Sequence, residues 1–169
     1  MSKASVVLSF HETLLHQSDI ELLNGPYWLN DTIISFYFEY LEKVTFIKSP
    51  DILFVPPEVT QCIKMVTPDE IKIFLEPLKI EAKKFVFFAL NDNSAPDMVG
   101  GSHWSLLVYS RDENSFFHYD SMCGSNHNVA WKHATRNGEI ASCDMTIKIN
   151  PCAKRKEILA LIHNLANSG

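Results

Sequence analysis

The amino-acid sequence predicts an α+β fold, because patterns typical of helices dominate its first half and patterns typical of antiparallel strands follow them. Lys84–Leu90 is apolar on both faces, as expected of a central strand. Two further apolar runs, Trp104–Tyr109 and Phe116–Tyr119, are separated by the short polar stretch Arg111–Asn114, which is typical of a hairpin. With 169 residues, 46% of them apolar, the chain has enough material for a sizeable core.

The first part of the chain contains short strands and a turn. Val6–Phe10 and Ile52–Val55 are short apolar runs typical of strands. Ser18 is predicted to cap a brief turn through Ile20–Leu23, which the breaker Asn24-Gly25-Pro26 ends.

Three helices are predicted before the sheet. Asn30 or Asp31 is the expected N-cap of a long helix that reaches Val44, and its nearly uniform apolar pattern predicts a buried helix. Pro57–Met65 has proline at its first position. The capping box Thr67-Pro68-Asp69-Glu70 predicts the start of the third helix.

The pattern changes after Ser121. Met122–Asn150 shows little periodicity, with Met145–Ile149 as a weak strand candidate, and we expect this bridge to be too polar to cover the apolar surface around the hairpin. Apolar residues at helical spacing return in Lys154–Leu165. The sequence therefore divides into a core over residues 1–121, a divergent bridge over 122–150 and a C-terminal helix over 151–169.

His103 and Asp120 flank the predicted hairpin. If its turn centres near Asp112, the two residues lie directly opposite each other on one face of the sheet. A carboxylate that faces an imidazole fixes its tautomer, which is the orienting half of a nucleophilic triad. The spacing alone also allows His103 to be a hydrogen-bonded structural histidine and Asp120 to open an ordinary turn.

Seven strings carry a likeness to a known family over about residues 6 to 121. In order, they are SDIELL, YWLND, PPEVTQ, FLEPL, FFALNDN, GGSHWSLLVY and NSFFHYDS. The chain resembles the Ulp/SENP cysteine peptidases of ubiquitin-like modifiers, and within them the deneddylase branch, which acts on Nedd-type modifiers. The resemblance implies an incomplete papain-like fold of the Ulp/SENP type, with a central antiparallel sheet and flanking helices.

The resemblance also implies roles for individual residues. His103 would be the base of the triad and Asp120 its orienting acid. Trp28 and Trp104 would enclose the tunnel for the diglycine end of the modifier, since flat apolar walls admit glycine and reject bulkier residues. The residues alone leave open that Trp28 is a core aromatic side chain at the start of the next helix.

Two further substrate contacts follow from the same resemblance. Asp31 would meet polar or basic groups of the modifier tail. Asn91–Gly101, beginning with the candidate substrate-binding residue Asn91, would be a mobile loop that closes on the substrate.

The nucleophile signature of this family, a Gln followed by Asp-Cys-Gly, does not occur in the sequence. The glutamines, Gln17 and Gln61, both precede His103. None of the cysteines, which are Cys62, Cys123, Cys143 and Cys152, stands between Asp and Gly. We interpret this as the replacement of an internal block by splicing, by a pseudogene-like copy or by a faulty gene model, and the sequence does not choose among these.

The expected function is cysteine peptidase chemistry after the Gly-Gly end of a Nedd-type modifier, with this chain inactive or severely impaired. A non-catalytic modifier-binding module and a truncated product without function are the alternatives. The expected partners are the modifier and its conjugates, such as cullins, with no cofactor and a monomeric chain.

Composition bounds the remaining properties. A net charge of −5 argues against a nucleic-acid binder, and the sequence predicts no signal peptide and no membrane span. Scattered cysteines are typical of reduced thiols, so we expect a protein of cytoplasm and nucleus. Cysteine and histidine spacing after Ser121 does not match a zinc finger, and no metal is expected; the residues considered were Cys123, His127, His133, Cys143 and Cys152.

Overall fold

The computed structural model describes residues 5–95, 100–122, 124–136 and 151–168, with the side chains of residues 68, 136, 151–154 and 168 left out. Helices flank a sheet of largely antiparallel strands, so the α+β prediction is confirmed. The chain forms two compact units, one within residues 1–40 and 149–169 and the other within residues 41–148. The predicted boundaries at residues 121 and 150 stay predictions.

The first unit combines a hairpin with three helices. Its elements are β1 (Val6–Phe10), β2 (Thr13–His16), α1 (Gln17–Asn24), α2 (Asp31–Tyr40) and α6 (Pro151–Ser168). Its core consists of buried aliphatic side chains and one phenylalanine from all five elements, namely Leu8, Leu15, Ile20, Leu23, Ile33, Phe36, Ile158 and Ile162. The strand predicted over Val6–Phe10 and the C-terminal helix are present.

The predicted cap at Ser18 is wrong, because α1 begins at Gln17 and its N-cap is His16, two residues before Ser18. The backbone N–H of His16 donates to the carboxylate of Asp19 over 2.8 Å, and the side chain of Asp19 is buried. A carboxylate in the first turn satisfies a backbone donor that the helix itself leaves free, and this sets the start of α1.

The predicted buried helix is shorter and more exposed than expected. It ends at Tyr40, where Leu41–Thr45 continue as a π-helical turn, and only Ile33 and Phe36 of α2 are buried. Asn30 is its cap, since Asn30 Oδ1 accepts the backbone N–H of Ile33 over 3.1 Å. The other aromatic residues of α2 lie on its half-exposed faces.

The second unit is built on a four-stranded sheet. The strands are β3 (Ile52–Val55), β4 (Phe85–Asn91), β5 (Trp104–Ser110) and β6 (Ser115–Tyr119), in the order β3-β4-β5-β6. β3 is parallel to β4, and the other pairs are antiparallel. The helices are α3 (Pro57–Met65), α4 (Pro68–Leu75) and α5 (His127–Arg136). The strand predicted over Lys84–Leu90 is therefore present within one residue and has a strand on each side.

The bridge after Ser121 contains a helix that the sequence pattern did not predict. Ala130 and Ala134 of α5 belong to the buried core of the sheet, together with Phe88, Leu107 and Phe116. The expectation that the bridge leaves this surface uncovered is therefore wrong for the described part of the bridge. The strand candidate Met145–Ile149 lies outside the described residues. In the described part of the chain, no helix has both the length and the apolar character needed to cross a membrane.

Candidate active site

His103 and Asp120 meet in the second unit, where β5 begins and β6 has just ended. Their closest atoms, His103 Nε2 and Asp120 Oδ1, are 2.6 Å apart. Both side chains are buried, with relative exposures of 6% and 4%. A pair this short and shielded from water is a strong, charge-assisted hydrogen bond.

The register of the hairpin differs from the predicted one by two residues. The ladder pairs Leu106 with Tyr119 and Ser110 with Ser115, so Asp120 lies diagonally from His103 instead of directly across from it. Because side chains alternate with a period of two, a shift of two residues keeps both groups on the same face. The predicted meeting of the two side chains is therefore present although the predicted pairing is wrong.

The geometry of this pair determines which nitrogen can act as a base. A carboxylate only accepts hydrogen bonds, so the facing Nε2 of His103 carries a proton. Nδ1 is then the nitrogen that can take a proton from a nucleophile. An imidazole held in this tautomer, with a carboxylate that stabilises its protonated form, is suited to general acid–base catalysis.

Two backbone N–H groups hold the carboxylate of Asp120. Met122 donates to Oδ1 and Asn126 to Oδ2, each over 2.8 Å. Burial alone raises the pKa of Asp120, but the bonds from Asn126, Met122 and His103 outweigh it and lower the pKa below its ordinary value. Asp120 is therefore held in its ionised form.

The backbone of His103 is fixed by Asp92, which follows β4. Asp92 Oδ1 accepts the N–H groups of Ser102 (2.6 Å) and His103 (3.1 Å), and Oδ2 accepts the hydroxyl of Ser102 over 2.7 Å. The N–H of Asp92 donates to the carbonyl of His103 over 3.1 Å. Burial raises the pKa of Asp92, and these bonds outweigh burial and lower the pKa below its ordinary value.

The loop predicted to close on substrate is tied down at both described ends. Lys64 of α3 donates from Nζ to the carbonyls of Asn91 (2.7 Å) and Asn93 (2.5 Å). Burial lowers the pKa of Lys64 to about 8, and the nearby charge of Asp92 opposes this in part. Gly101 has a φ of 99°, and a Cβ there would lie 1.9 Å from Asn91 Oδ1, so only glycine fits. Closure of the loop stays a prediction.

The remaining predicted substrate contacts occupy different settings. Asn91 is buried, and its Oδ1 accepts the N–H of Asn93 over 2.7 Å, so its side chain supports the loop from inside. Trp28 is 63% exposed, which rules out the alternative of a core side chain. Asp31 is exposed at the start of α2, and Trp104 is half-buried at the start of β5. Trp28 and Asp31 belong to the first unit and Trp104 to the second.

The loop that carries Trp28 is restrained by the C-terminal helix. Arg155 donates from Nη1 to the carbonyl of Leu22 over 2.9 Å and from Nη2 to the carbonyl of Tyr27 over 2.5 Å. An exposed indole on a restrained loop loses little conformational freedom when it binds a partner.

No cysteine side chain within the described residues is shown in contact with His103. Cys62 is an exposed free thiol on α3. The side chains of Cys123, Cys143 and Cys152 lie outside the described residues. Within the described part of the chain, no three His, Cys, Asp or Glu side chains are grouped so that they could hold a metal ion.

Sequence reasoning missed Asp92 and Asn126, which contact the His103–Asp120 pair, and Lys64, which holds the loop after β4. Each acts mainly through the main chain of its neighbours, and main-chain contacts leave no pattern in side-chain chemistry or spacing. The one available signal was the Asp92–Ser102 combination, an acceptor and a donor at the two ends of a glycine-rich loop.

The lowered pKa of Asp92 predicts how stability depends on pH. We expect D92N to be less stable than the wild-type chain at about pH 7, with the difference shrinking below the ordinary aspartate pKa of about 3.9. The direction of this pH dependence follows because the ionised carboxylate of Asp92 is stabilised more in the folded chain than in the unfolded chain. The stabilisation is therefore complete above the ordinary pKa and is lost as pH falls through the lowered one. Urea midpoints measured over this range test it.

E113Q is the matched control, since Glu113 is an exposed carboxyl in the hairpin turn. Its difference from the wild-type chain should be small throughout. A D92N difference that persists undiminished at the acidic end would contradict the assignment.

Comparison with known proteins gives the family. The Ulp1 protease family, C-terminal catalytic domain, matches residues 27–157. Sentrin-specific protease 8 of Rattus norvegicus is 55% identical over 123 residues, which cover 72% of this chain and 56% of that protein. NEDD8-specific protease 1 of Arabidopsis thaliana is 39% identical over 122 residues, covering 71% of this chain and 53% of that protein. This chain therefore spans about half the length of these relatives.

Solved structures agree in fold. The yeast Ulp1 protease domain in complex with Smt3 has a TM-score of 0.69 at 16% identity, covering 100% of this chain and 79% of that chain. The Xanthomonas campestris effector XopD bound to ubiquitin has a TM-score of 0.55 at 22% identity, covering 83% and 77%. The predicted Ulp/SENP-type fold is confirmed. With the family match over most of its length, the chain belongs to the Ulp1 protease family.

Proposed function

We propose that His103 and Asp120 are the base and the acid of a site of the deneddylating cysteine peptidase type, and that this chain retains the pair without the nucleophile. Such a peptidase cleaves the amide or isopeptide bond after the C-terminal Gly-Gly of a NEDD8-type modifier. The observation that carries the proposal is the buried contact of 2.6 Å between His103 and Asp120. Relatives named as NEDD8-specific and Sentrin-specific proteases support the assignment.

In this chemistry the imidazole first accepts a proton and then donates it. His103 Nδ1 takes the proton of a cysteine thiol, and the thiolate attacks the carbonyl carbon of the last glycine. The protonated imidazole, stabilised by Asp120, then gives that proton to the leaving amine as the C–N bond breaks. Water hydrolyses the thioester in the second half of the reaction, with His103 again as the base.

The sequence carries the proposed base and acid of this triad but not the Gln…Asp-Cys-Gly signature. We therefore propose that this chain binds a NEDD8-type modifier and does not catalyse the cleavage of its conjugates. The exposure of Trp28 favours this second function, since 63% of a large apolar side chain lies open to a partner on a restrained loop.

The wider setting of the chain is also part of the proposal. The partners of the chain would be the modifier and its conjugates, such as cullins, and not nucleic acid. The chain would act as a monomer in cytoplasm and nucleus, and it would need no cofactor. A net charge of −5 is consistent with the absence of a nucleic-acid footprint.

Binding of NEDD8 to the whole chain tests the proposal. We expect W28A and W104A to weaken binding by about tenfold or more, because buried tryptophans dominate the energy of interfaces. Fluorescence anisotropy of NEDD8 labelled near its N-terminus measures the affinity, and NEDD8 lacking its Gly-Gly end should bind more weakly than the complete modifier.

W131A is the matched control, since Trp131 is an exposed tryptophan on α5, 46% open to solvent. Its affinity should equal that of the wild-type chain. Absence of any NEDD8 binding by the folded wild-type chain would favour a product without function, and tighter binding of SUMO than of NEDD8 would contradict the choice of modifier.

A further inference from the structure

Asn126 lies in the turn between β6 and α5, and its side chain is fully buried. Its Nδ2 donates to the carbonyls of Leu90 (3.2 Å) and His103 (3.4 Å) and to Ser105 Oγ (3.1 Å). Its backbone N–H donates to Asp120 Oδ2 over 2.8 Å. One residue therefore contacts both members of the base–acid pair and the ends of two strands.

The chemistry around Asn126 requires a hydrogen-bond donor on the side chain at this position. The carbonyl oxygens of Leu90 and His103 only accept hydrogen bonds, so the nitrogen of the side chain, and not its oxygen, faces them. A carboxylate there would place a buried negative charge against two carbonyl oxygens. The three acceptors, which are the two carbonyls and the hydroxyl of Ser105, share the two hydrogens of the amide. The side chain of Asn126 therefore links the backbone of His103 to β4 and β5.

Strand pairing by itself does not fix the relative position of His103 and Asp120. The β5–β6 ladder ends at the Leu106–Tyr119 pair, so both residues lie beyond its last rung. Asp92 holds the backbone of His103, and Met122 holds the carboxylate of Asp120. Asn126 is hydrogen-bonded to the His103 carbonyl and to the Asp120 carboxylate, and it therefore links these two residues to each other.

We infer that Asn126 is a positioning residue that holds the backbone of His103 and the carboxylate of Asp120 at the separation their hydrogen bond requires. The inference rests on the proposed function, in which this pair is the base and the acid. Asn126 contacts neither substrate nor nucleophile in this assignment and acts through the other two residues.

The proton between His103 Nε2 and Asp120 Oδ1 provides a direct readout. A short hydrogen bond of an imidazole to a carboxylate gives a proton resonance far downfield of the amide region. D120N identifies this resonance by removing it. In N126A, which deletes the side-chain donors but keeps the backbone N–H to Asp120, we expect the resonance to vanish or its exchange with water to rise about tenfold.

S105A is the matched partner variant, because it removes one acceptor of Asn126 and leaves the bond to the His103 carbonyl in place. Its resonance should persist. I63V controls for general loss of stability, since Ile63 is an apolar side chain that is fully buried in the core of the same unit and makes no hydrogen bond to His103 or Asp120. Its resonance should persist even where its urea midpoint falls as far as that of N126A.

N126S carries the test if N126A does not fold, since its shorter hydroxyl side chain leaves the His103 carbonyl untied while preserving a polar group. Unchanged resonance and exchange in the folded variant would overturn the inference. So would absence of the resonance from the wild-type chain, because there would then be no fixed pair to position. The readout needs no modifier, so a failure of NEDD8 binding and a failure of this inference are distinguishable.

Discussion

Incubation of this chain with NEDD8 carrying a C-terminal fluorogenic amide should release fluorophore no faster than the uncatalysed reaction. His103 and Asp120, the proposed base and acid, are in contact, but the sequence holds no cysteine in the Asp-Cys-Gly setting. Loss of the nucleophile of a triad costs on the order of a million-fold in kcat. Release of fluorophore is measured beside NEDD8-specific protease 1 of Arabidopsis thaliana as the active reference.

A covalent probe sharpens the same prediction. NEDD8 with a C-terminal vinyl sulfone should not label the chain, whereas it should label the active reference. C62A controls for chance reaction of the exposed thiol of Cys62. Labelling that is abolished by C123A or by C143A would reveal a substitute nucleophile and contradict the prediction.

Substitution A134D should unfold the second unit or bring it close to unfolding. Ala134 is 5% exposed and packs in the core that α5 shares with Phe88 and Leu107. An unpaired buried charge costs about 3–5 kcal/mol, which is comparable with the whole stability of a small domain, about 5–15 kcal/mol. The urea midpoint, followed by circular dichroism, measures the loss.

K132D is the control on the same helix. Lys132 is exposed, so its replacement should change stability by less than about 1 kcal/mol. Equal midpoints for A134D and K132D would show that α5 does not cover the sheet. The bridge would then contribute nothing to the core, as its polar composition first suggested.

Much of the fold was predictable because its strands are marked by strong local patterns. β4 is apolar on both faces and lies between β3 and β5, as its sequence indicated. The capping box at Thr67 and the proline at Pro57 likewise begin helices where they were predicted to. In these places a few adjacent residues determine the local conformation, so no distant contact is needed to locate the element.

Helix α5 was missed because its buried stripe is made of weakly apolar residues. Ala130, His133 and Ala134 are buried, as is Asn126 directly before the helix, and the four residues follow the i, i+4, i+7 and i+8 spacing of a helix face. Alanine, histidine and asparagine carry little hydrophobic signal, so the periodicity is hidden when apolar residues alone are considered. The opposite error was made for α2. Its aromatic residues predicted a helix buried on all sides, although only two of its residues are buried.

The predicted hairpin register was wrong because placing His103 opposite Asp120 puts the centre of the turn between Arg111 and Asp112, one residue too early. Ser110 pairs with Ser115, so the turn spans Arg111–Asn114 and centres after Asp112. Asn114 closes it with a φ of 46°, a left-handed conformation that asparagine tolerates. Sequence patterns locate a turn to within a residue or two, which is enough to choose the face of the sheet but not the partner.

The candidate site was half predictable for a related reason. His103 and Asp120 were found because their chemistry is unusual next to two apolar strands. Asp92 and Asn126 are ordinary loop residues in the sequence, and their role comes from main-chain atoms that only the folded chain brings near them.

The discontinuity of the first unit has a consequence for the order in which the chain folds. That unit draws on residues 1–40 and 149–169, whereas the second uses the single stretch 41–148. A continuous stretch can fold during synthesis, whereas α6 leaves the ribosome after the whole second unit, and bringing it to α1 closes a long loop at an entropic cost. The sheet that carries His103 and Asp120 is therefore complete first. The hydrogen bonds of Arg155 to Leu22 and Tyr27 form later, so the loop that carries Trp28 is restrained only after α6 has been synthesised.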